Sequence, residues 1–330
     1  METKRNSYRA IICAELGTPD VLRITRLPQP TLGPSDVRVH IVAAAVNFPD
    51  VLMVAGEYQF KPVLPFVPGM ESAGMVIETG ASVKHFRPGD RVIVRQRTGA
   101  FAEQAVVPES MLNKLPETLS FEEGASFLIA FTTALHALRT RANLQTQEHV
   151  LITGAGGGVG LAAVAVAAHL GAKVVAAATS FEKREAARTA GATHVIDSNA
   201  EHFAALVQEL TEGRGANVIY DPVGLPPLML LRAAAFGARI LIIGFAGGKI
   251  HDWPANRILL KCASLIGVRA GEWSRHFTDV KSDETALLLK LAGEGALRPY
   301  VSQRFPLEHA PDALRALANR EAIGRVVVLP

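Results

Sequence analysis

Apolar and polar positions fall into two textures along the chain, and the change comes near residue 126. Before it, short alternating or β-branched runs at 8–14, 21–26, 36–46, 74–78, 91–94 and 101–107 stand between turn residues. The turns are Gly17-Thr18-Pro19-Asp20, Gly33-Pro34-Ser35, Gly80 and Pro88-Gly89-Asp90. Val37, Val39 and Ile41 alternate as one face of a half-buried strand does. Many short strands at this spacing predict a β-rich sandwich or partial barrel. After residue 126 strand and helix patterns alternate. Apolar runs at 149–153, 173–178, 194–197, 217–221, 239–243 and 264–268 read as buried strands, and 161–170, 181–190, 201–211 and 226–235 as helices. Pro226 and Pro227 open the last helix, where missing N–H groups cost little. This alternation predicts a parallel, doubly wound α/β sheet of six strands. Beyond 270 come a helix at about 283–293 and an apolar tail at 323–329, which has no place in that sheet. The tail is expected to return to the β-rich domain, giving domain limits of 1–125 with 270–330, and 126–269.

The turn after the first strand of the second texture carries the chemistry. Val150-Leu151-Ile152-Thr153 stops at Gly154-Ala155-Gly156-Gly157-Gly158-Val159-Gly160, and a wholly apolar helix pattern follows. Read as Ala155-x-Gly157-x-x-Gly160, this is a dinucleotide fingerprint with alanine at its first position. Glycines allow the sharp turn and close approach, and Gly158, Val159 and Gly160 present helix-start N–H groups to an anion. The next strand ends Ala176-Ala177-Ala178-Thr179-Ser180, without the acid that binds a ribose 2′-hydroxyl. Lys183 and Arg184 follow, two cations at a helix start that call for an anion. A 2′-phosphate held by Ser180, Lys183 and Arg184 supplies one, which favours NADPH over NADH. The same residues also read as a capping box, Thr179-x-x-Glu182, with Ser180 assisting. Short-chain dehydrogenases share the pattern Thr153-Gly154-x-x-x-Gly158-x-Gly160, but they need Tyr-x-x-x-Lys. Tyr8, Tyr58, Tyr220 and Tyr300 are followed four residues later by Ile12, Pro62, Gly224 and Arg304.

Composition narrows the classes. The 330 residues include 34 basic and 31 acidic side chains, a net +3 that suggests no polyanion surface and no nucleic acid as main partner. The apolar run at 161–179 is divided by Gly171 and Lys173, so a buried helix and strand are expected rather than a membrane span. Residues 1–7 lack the apolar core of a signal peptide. Cys13 and Cys262 cannot form a disulfide framework, and a reducing, cytoplasmic setting is expected.

Several motifs recur in a recognisable order: Ala44-Ala45-Val46-Asn47-Phe48-Pro49-Asp50, Pro65-Phe66-Val67-Pro68-Gly69-Met70-Glu71, Pro88-Gly89-Asp90-Arg91-Val92, Gly157-Gly158-Val159-Gly160-Leu161 and Tyr220-Asp221-Pro222-Val223-Gly224. Over essentially its whole length the chain resembles the zinc-independent, zeta-crystallin-like quinone oxidoreductases of the medium-chain dehydrogenase/reductase superfamily. The resemblance implies a GroES-like catalytic domain, an NADPH-binding Rossmann domain and a homodimer or homotetramer. It implies no metal: zinc-dependent relatives carry Cys at Asn47, His at Met70 and a further Cys near Leu128, and of their ligands only Glu71 is present. It places Asn47 beside the nicotinamide and substrate, Tyr58 in the substrate cleft, Thr132 near the nicotinamide riboside, Gly244 and Phe245 at the carboxamide, and Arg269 near the cofactor. Each has a plainer reading: Asn47 as a turn residue, Tyr58 as packing, Thr132 bonded to its own helical turn, Phe245 as core, and Arg269 in a surface ion pair. Ser198 stands where bacterial relatives bring a tyrosine toward the adenosine phosphate. The implied activity is hydride transfer from NADPH to a small-molecule quinone or α,β-unsaturated carbonyl compound, with no obligatory proton donor. Alternatives are a 2-enoyl-thioester (acryloyl-CoA-type) reductase and an NADPH-binding structural or regulatory protein with little turnover.

Overall fold

A computed structural model describes residues 7–330; residues 1–6, most of the polar opening segment, lie outside the described residues. In chain order, the antiparallel pair β1 (Ser7–Ile12) and β2 (Arg23–Pro28) precedes β3 (Asp36–Ala45), α1 (Phe48–Val54), β4 (Glu71–Thr79), β5 (Arg91–Arg95), β6 (Gln104–Pro108), β7 (Leu112–Lys114) and α2 (Phe121–Ala125). Next, α3 (Leu128–Leu135) runs into a π-helical turn, His136–Arg141. The alternating region contains β8 (His149–Ile152), α4 (Gly158–His169), β9 (Lys173–Ala178), α5 (Phe181–Thr189), β10 (His194–Asp197) and α6 (Phe203–Leu210). It continues with β11 (Ala216–Asp221), α7 (Pro227–Ala233), β12 (Ala234–Ile242), α8 (Ala255–Lys261) and β13 (Ser264–Gly267). The chain ends with α9 (Ala270–His276), α10 (Thr278–Gly293), β14 (Val301–Pro306), α11 (Ala310–Ala318) and β15 (Arg325–Leu329).

Two compact units result: residues up to Leu128 with Val301–Pro330, and Ile129–Tyr300. In the first, β14-β15-β3-β4-β5-β7 form one sheet, with β6 paired to β3. Val37, Val39 and Ile41 are fully buried, as their alternation requires, and pack in one core with Val92, Val94, Phe101, Val326 and Val328. The tail strand β15 pairs antiparallel with β3, Val327 opposite Ala45. In the second unit the order is β10-β9-β8-β11-β12-β13, every pair parallel. The strand order reverses between β8 and β11, so the glycine turn after β8 lies at the switch point where such sheets bind ligands.

Some expectations are corrected. Residues 270–300 belong to the second unit: Glu284 on α10 is buried there, 3.1 Å from His136 Nδ1, and accepts a hydrogen bond from Thr140 Oγ1 at 2.5 Å. The run at 101–107 begins as a strand only at Gln104, because Phe101 is instead a core residue whose carbonyl accepts from the N–H of Ile11. The short helices α1, α2, α8, α9 and α11 fall in stretches for which the sequence pattern predicts no element. Among the described residues no helix is long and apolar enough to cross a membrane.

Candidate active site

The glycine turn of the second unit is built for close approach. Gly154 has φ +55°, in the left-handed region. A Cβ on Gly160 would lie 2.2 Å from the Gly154 carbonyl oxygen, so only glycine lets α4 start against the turn. Ala155 is buried and its N–H donates to Ala177 O at 3.0 Å, tying the turn to β9. Gly157 is the N-cap of α4, and a Cβ there would meet only the Gly154 oxygen at 3.5 Å. The first-turn N–H groups of Gly158, Val159 and Gly160 follow that N-cap, where a helix start leaves its donors without intrahelical partners. A Cβ on Gly156 would fall 2.5 Å from Lys183 Cβ and 2.6 Å from its Cγ, so the lysine stem lies across the turn.

At the tip of β9 the helix cap is Ser180 and not Thr179. Ser180 is extended (φ −116°, ψ 163°), and its hydroxyl accepts from Lys183 N at 3.3 Å. Arg184 is more committed than Lys183's neighbourhood suggested from sequence. Its guanidinium donates to Ala178 O at 3.2 Å and pairs with Asp197 Oδ2 at 3.3 Å.

Two loops at the end of the sheet are held by one buried carboxylate. Asp221 Oδ1 accepts from Thr153 Oγ1 at 2.5 Å and from the N–H groups of Val223 and Gly224 at 3.1 Å. Its Oδ2 accepts from Leu225 N at 3.0 Å. The 222–225 loop in turn accepts from Ala246 N and Gly247 N, at 3.1 and 2.7 Å. This positions Gly244 and Phe245, whose ring is 39% exposed and so is not core. Thr132 is buried and its Oγ1 has no hydrogen-bond partner among the described residues; its neighbour Thr133 is the one that bonds back to Ile129 O, at 2.8 Å. Arg269 is the N-cap of α9, exposed and 3.8 Å from Glu272.

The first unit holds a second polar centre. Asn47 caps α1, is 3% exposed, and its N–H donates to Asp50 Oδ2 at 2.8 Å. Its amide oxygen accepts from Arg325 at 2.9 Å. Arg325 also lies 3.6 Å from the fully buried Glu71 carboxylate, and Glu71 stands opposite Arg95 across β4 and β5. Burial pushes Asp50 up to about 7 against the stabilising N–H groups of Asn47 and Gly69 and the Arg325 charge. Burial also lowers Arg325 and Arg95, with Glu71 opposing it in both. Tyr58 is half-buried in the loop after α1, packed on this unit's core. Asn47 and Tyr58 thus lie in one unit, and the cofactor candidates Thr132 to Arg269 in the other. Arg325 and Asp221 were not singled out from sequence as site residues. A charge inside the apolar run 323–329 was the available signal for Arg325, since a buried arginine requires a partner.

Among the described residues no group of three or more His, Cys, Asp or Glu side chains is placed to hold a metal. Residues 158–285 match the family model described as zinc-binding dehydrogenase, and 33–117 that of the alcohol dehydrogenase GroES-like domain. The chain is 40% identical to the quinone oxidoreductase-like protein 2 homolog of Nematostella vectensis, over 99% of this chain and 90% of the relative. Its fold matches a mycobacterial protein complexed with NADPH (32% identity, TM-score 0.89, 98% of this chain and 100% of that one). It also matches Escherichia coli quinone oxidoreductase complexed with NADPH (26% identity, TM-score 0.88, the same coverage).

Proposed function

The chain belongs to the quinone oxidoreductase-like group of the medium-chain dehydrogenase/reductase superfamily, and from that premise we propose that it transfers hydride from NADPH to a quinone or an α,β-unsaturated carbonyl compound without zinc. The observation that carries the reading is the glycine cradle: closed by Gly160 against Gly154, open at Gly157 and crossed by the Lys183 stem at Gly156. Those residues fit a dinucleotide with a 2′-phosphate. The N–H groups at the start of α4 bind the pyrophosphate, and Ser180 and Lys183 meet the 2′-phosphate. Arg184 contributes less, because Asp197 already pairs with it.

NADPH, when bound, supplies the hydride. The protein binds, orients and excludes water. The unpartnered hydroxyl of Thr132 suits a contact to the nicotinamide riboside, and the 244–247 loop, held through Asp221, offers backbone groups to the carboxamide. Asn47 donates through its amide nitrogen to the acceptor oxygen as negative charge develops, and Tyr58 lines the acceptor side. The product takes its proton from solvent as it leaves the site. The residues present do not fit a catalytic zinc. Where zinc-dependent relatives place Cys and His, this chain has an amide and the thioether Met70, and the Arg325 guanidinium lies 2.9 Å from that amide. A fixed buried cation there repels a metal ion.

The test is NADPH oxidation with three acceptors: a simple quinone, an enone and a short 2-enoyl-CoA, with and without a chelator. Turnover of quinone or enone, unaffected by chelation, is expected. Turnover of the thioester alone assigns the chain to thioester reduction, and tight NADPH binding without turnover refutes an enzymatic role.

A further inference from the structure

We infer that Arg325 is a positioning residue that fixes the orientation of the Asn47 amide, so that the site offers its acceptor a hydrogen-bond donor backed by a positive charge. The inference rests on the reading of Asn47 given above and extends it to the class of acceptor.

The contact is dictated by sheet register. Val327 pairs with Ala45, and Val46 N donates to Val326 O at 2.9 Å, so Arg325 stands directly across from Asn47. Ala45 in turn faces Glu71 on β4, and Glu71 faces Arg95 on β5. Glu71 and Arg95 thus share a register row with Val327 and the small Ala45, and Arg325, two residues along β15 from that row, comes within 3.6 Å of the Glu71 carboxylate. Arg325, Asn47 and Glu71 are 5%, 3% and 0% exposed.

The distances then carry the argument. A buried guanidinium gains most from a bidentate bond to a carboxylate. Arg325 has such a carboxylate within reach, yet it stands 3.6 Å from Glu71 and 2.9 Å from the neutral amide oxygen of Asn47. The strongest donor in the cluster is used to hold an amide. Arginine has no acceptor, so the amide must present its oxygen to it and turn its nitrogen away from it. That nitrogen has one long contact, to Ala45 O at 3.4 Å. What remains is a pure donor, polarised by the cation bonded to its own carbonyl. Such a group stabilises an oxygen that becomes negative during the reaction. It therefore selects acceptors in which the hydride's electron pair ends on a carbonyl or quinone oxygen.

A double-mutant cycle tests this with the full chain, NADPH and the enone or quinone that it turns over. The variants are N47A, R325K and N47A/R325K, with kcat and the NADPH KM measured for each. R325K should lower kcat about tenfold, as a misplaced catalytic group does, with KM for NADPH changed less than about twofold. In the N47A background the same substitution should change kcat less than about twofold. Equal losses in both backgrounds mark a purely structural arginine and overturn the inference, as does an unchanged kcat in R325K. If R325K does not fold, E71Q/R325M, which removes the Arg325 charge together with that of the carboxylate nearest to it, takes its place in the cycle with the same expectations. A readout without turnover separates this idea from the proposed activity. The Asn47 side-chain amide resonance, identified by its loss in N47A, should shift in the arginine variant while those of the exposed Asn143 and Asn199 stay in place. If the wild type reduces neither acceptor, the proposed activity fails and this resonance decides the orientation alone; an unmoved signal overturns it.

Discussion

Removing the carboxylate of Asp221 should loosen both loops at the end of the parallel sheet. That side chain is 4% exposed and accepts four hydrogen bonds, one from Thr153 and three from the N–H groups of Val223, Gly224 and Leu225. In D221A the three amides lose their partner inside a partly buried loop. The Thr153 hydroxyl bond is lost as well, and at about 1 kcal/mol for each of the four the second unit should lose about 4 kcal/mol of stability. D221N keeps one acceptor oxygen but turns an NH2 group toward a backbone donor, so it should lose between half and all of that. T153V, which removes only the hydroxyl bond, should cost about 1 kcal/mol. The assay is guanidinium unfolding followed by tryptophan fluorescence, because Trp253 and Trp273 both lie in the second unit and report it alone. The damage should also spread along the hydrogen bonds that join the loops. Ala246 and Gly247 donate to Pro222 and Val223, so amide exchange at 243–248 should accelerate and NADPH should bind more weakly. A D221A midpoint shift worth less than about 0.5 kcal/mol, with unchanged exchange at 243–248, would refute the idea that this carboxylate organises the two loops.

Lys183→Ala should weaken NADPH by about 1–3 kcal/mol, the worth of a charge-assisted bond, and leave NADH affinity nearly unchanged; equal losses in titrations of the two cofactors would remove the 2′-phosphate from Lys183. Thr132→Val replaces a buried, unpartnered hydroxyl by a methyl of the same shape. It should raise the midpoint of the cofactor-free chain or leave it unchanged, while reducing the stabilisation that NADPH confers; a lower midpoint without cofactor contradicts this. Asp50 is pushed up to about 7 by burial, so the folded chain holds a proton there that the unfolded chain releases near pH 4. Its contribution to stability therefore falls as pH rises from about 4 to about 7 and levels off above. D50N lacks that fall, so its stability relative to the wild type should improve between about pH 5 and about pH 8 in chemical unfolding, and a difference constant with pH would refute the raised carboxyl.

The glycine turn and the parallel strands were legible because their signals are local. A strand buried on both faces is written as a continuous apolar run, and β9 at Lys173–Ala178 has the limits that its run predicts. Gly160 is required by a contact only six residues back in the chain, to Gly154 O. The polar centre of the first unit is written differently. Asn47 and Arg325 are 278 residues apart, and what joins them is the pairing of the last strand with β3, which no periodicity records. The ordinary hydrophobic reading of β15 even hides the arginine, since its neighbours Val326, Val327 and Val328 are all buried as the pattern demands. The helix α10 illustrates the same limit: its pattern predicts a helix but not which unit it covers, and that is settled by Glu284 meeting His136 and Thr140. Burial without an apolar side chain is thus the part of this site that sequence carries only as an anomaly. Three such anomalies resolve into pairings: Arg325 with Asn47 and Glu71, Glu284 with the π-helical turn, Asp221 with the loop that follows it. A charge in an otherwise apolar run is therefore best read as half of a contact whose other half must be sought on the neighbouring strand or helix.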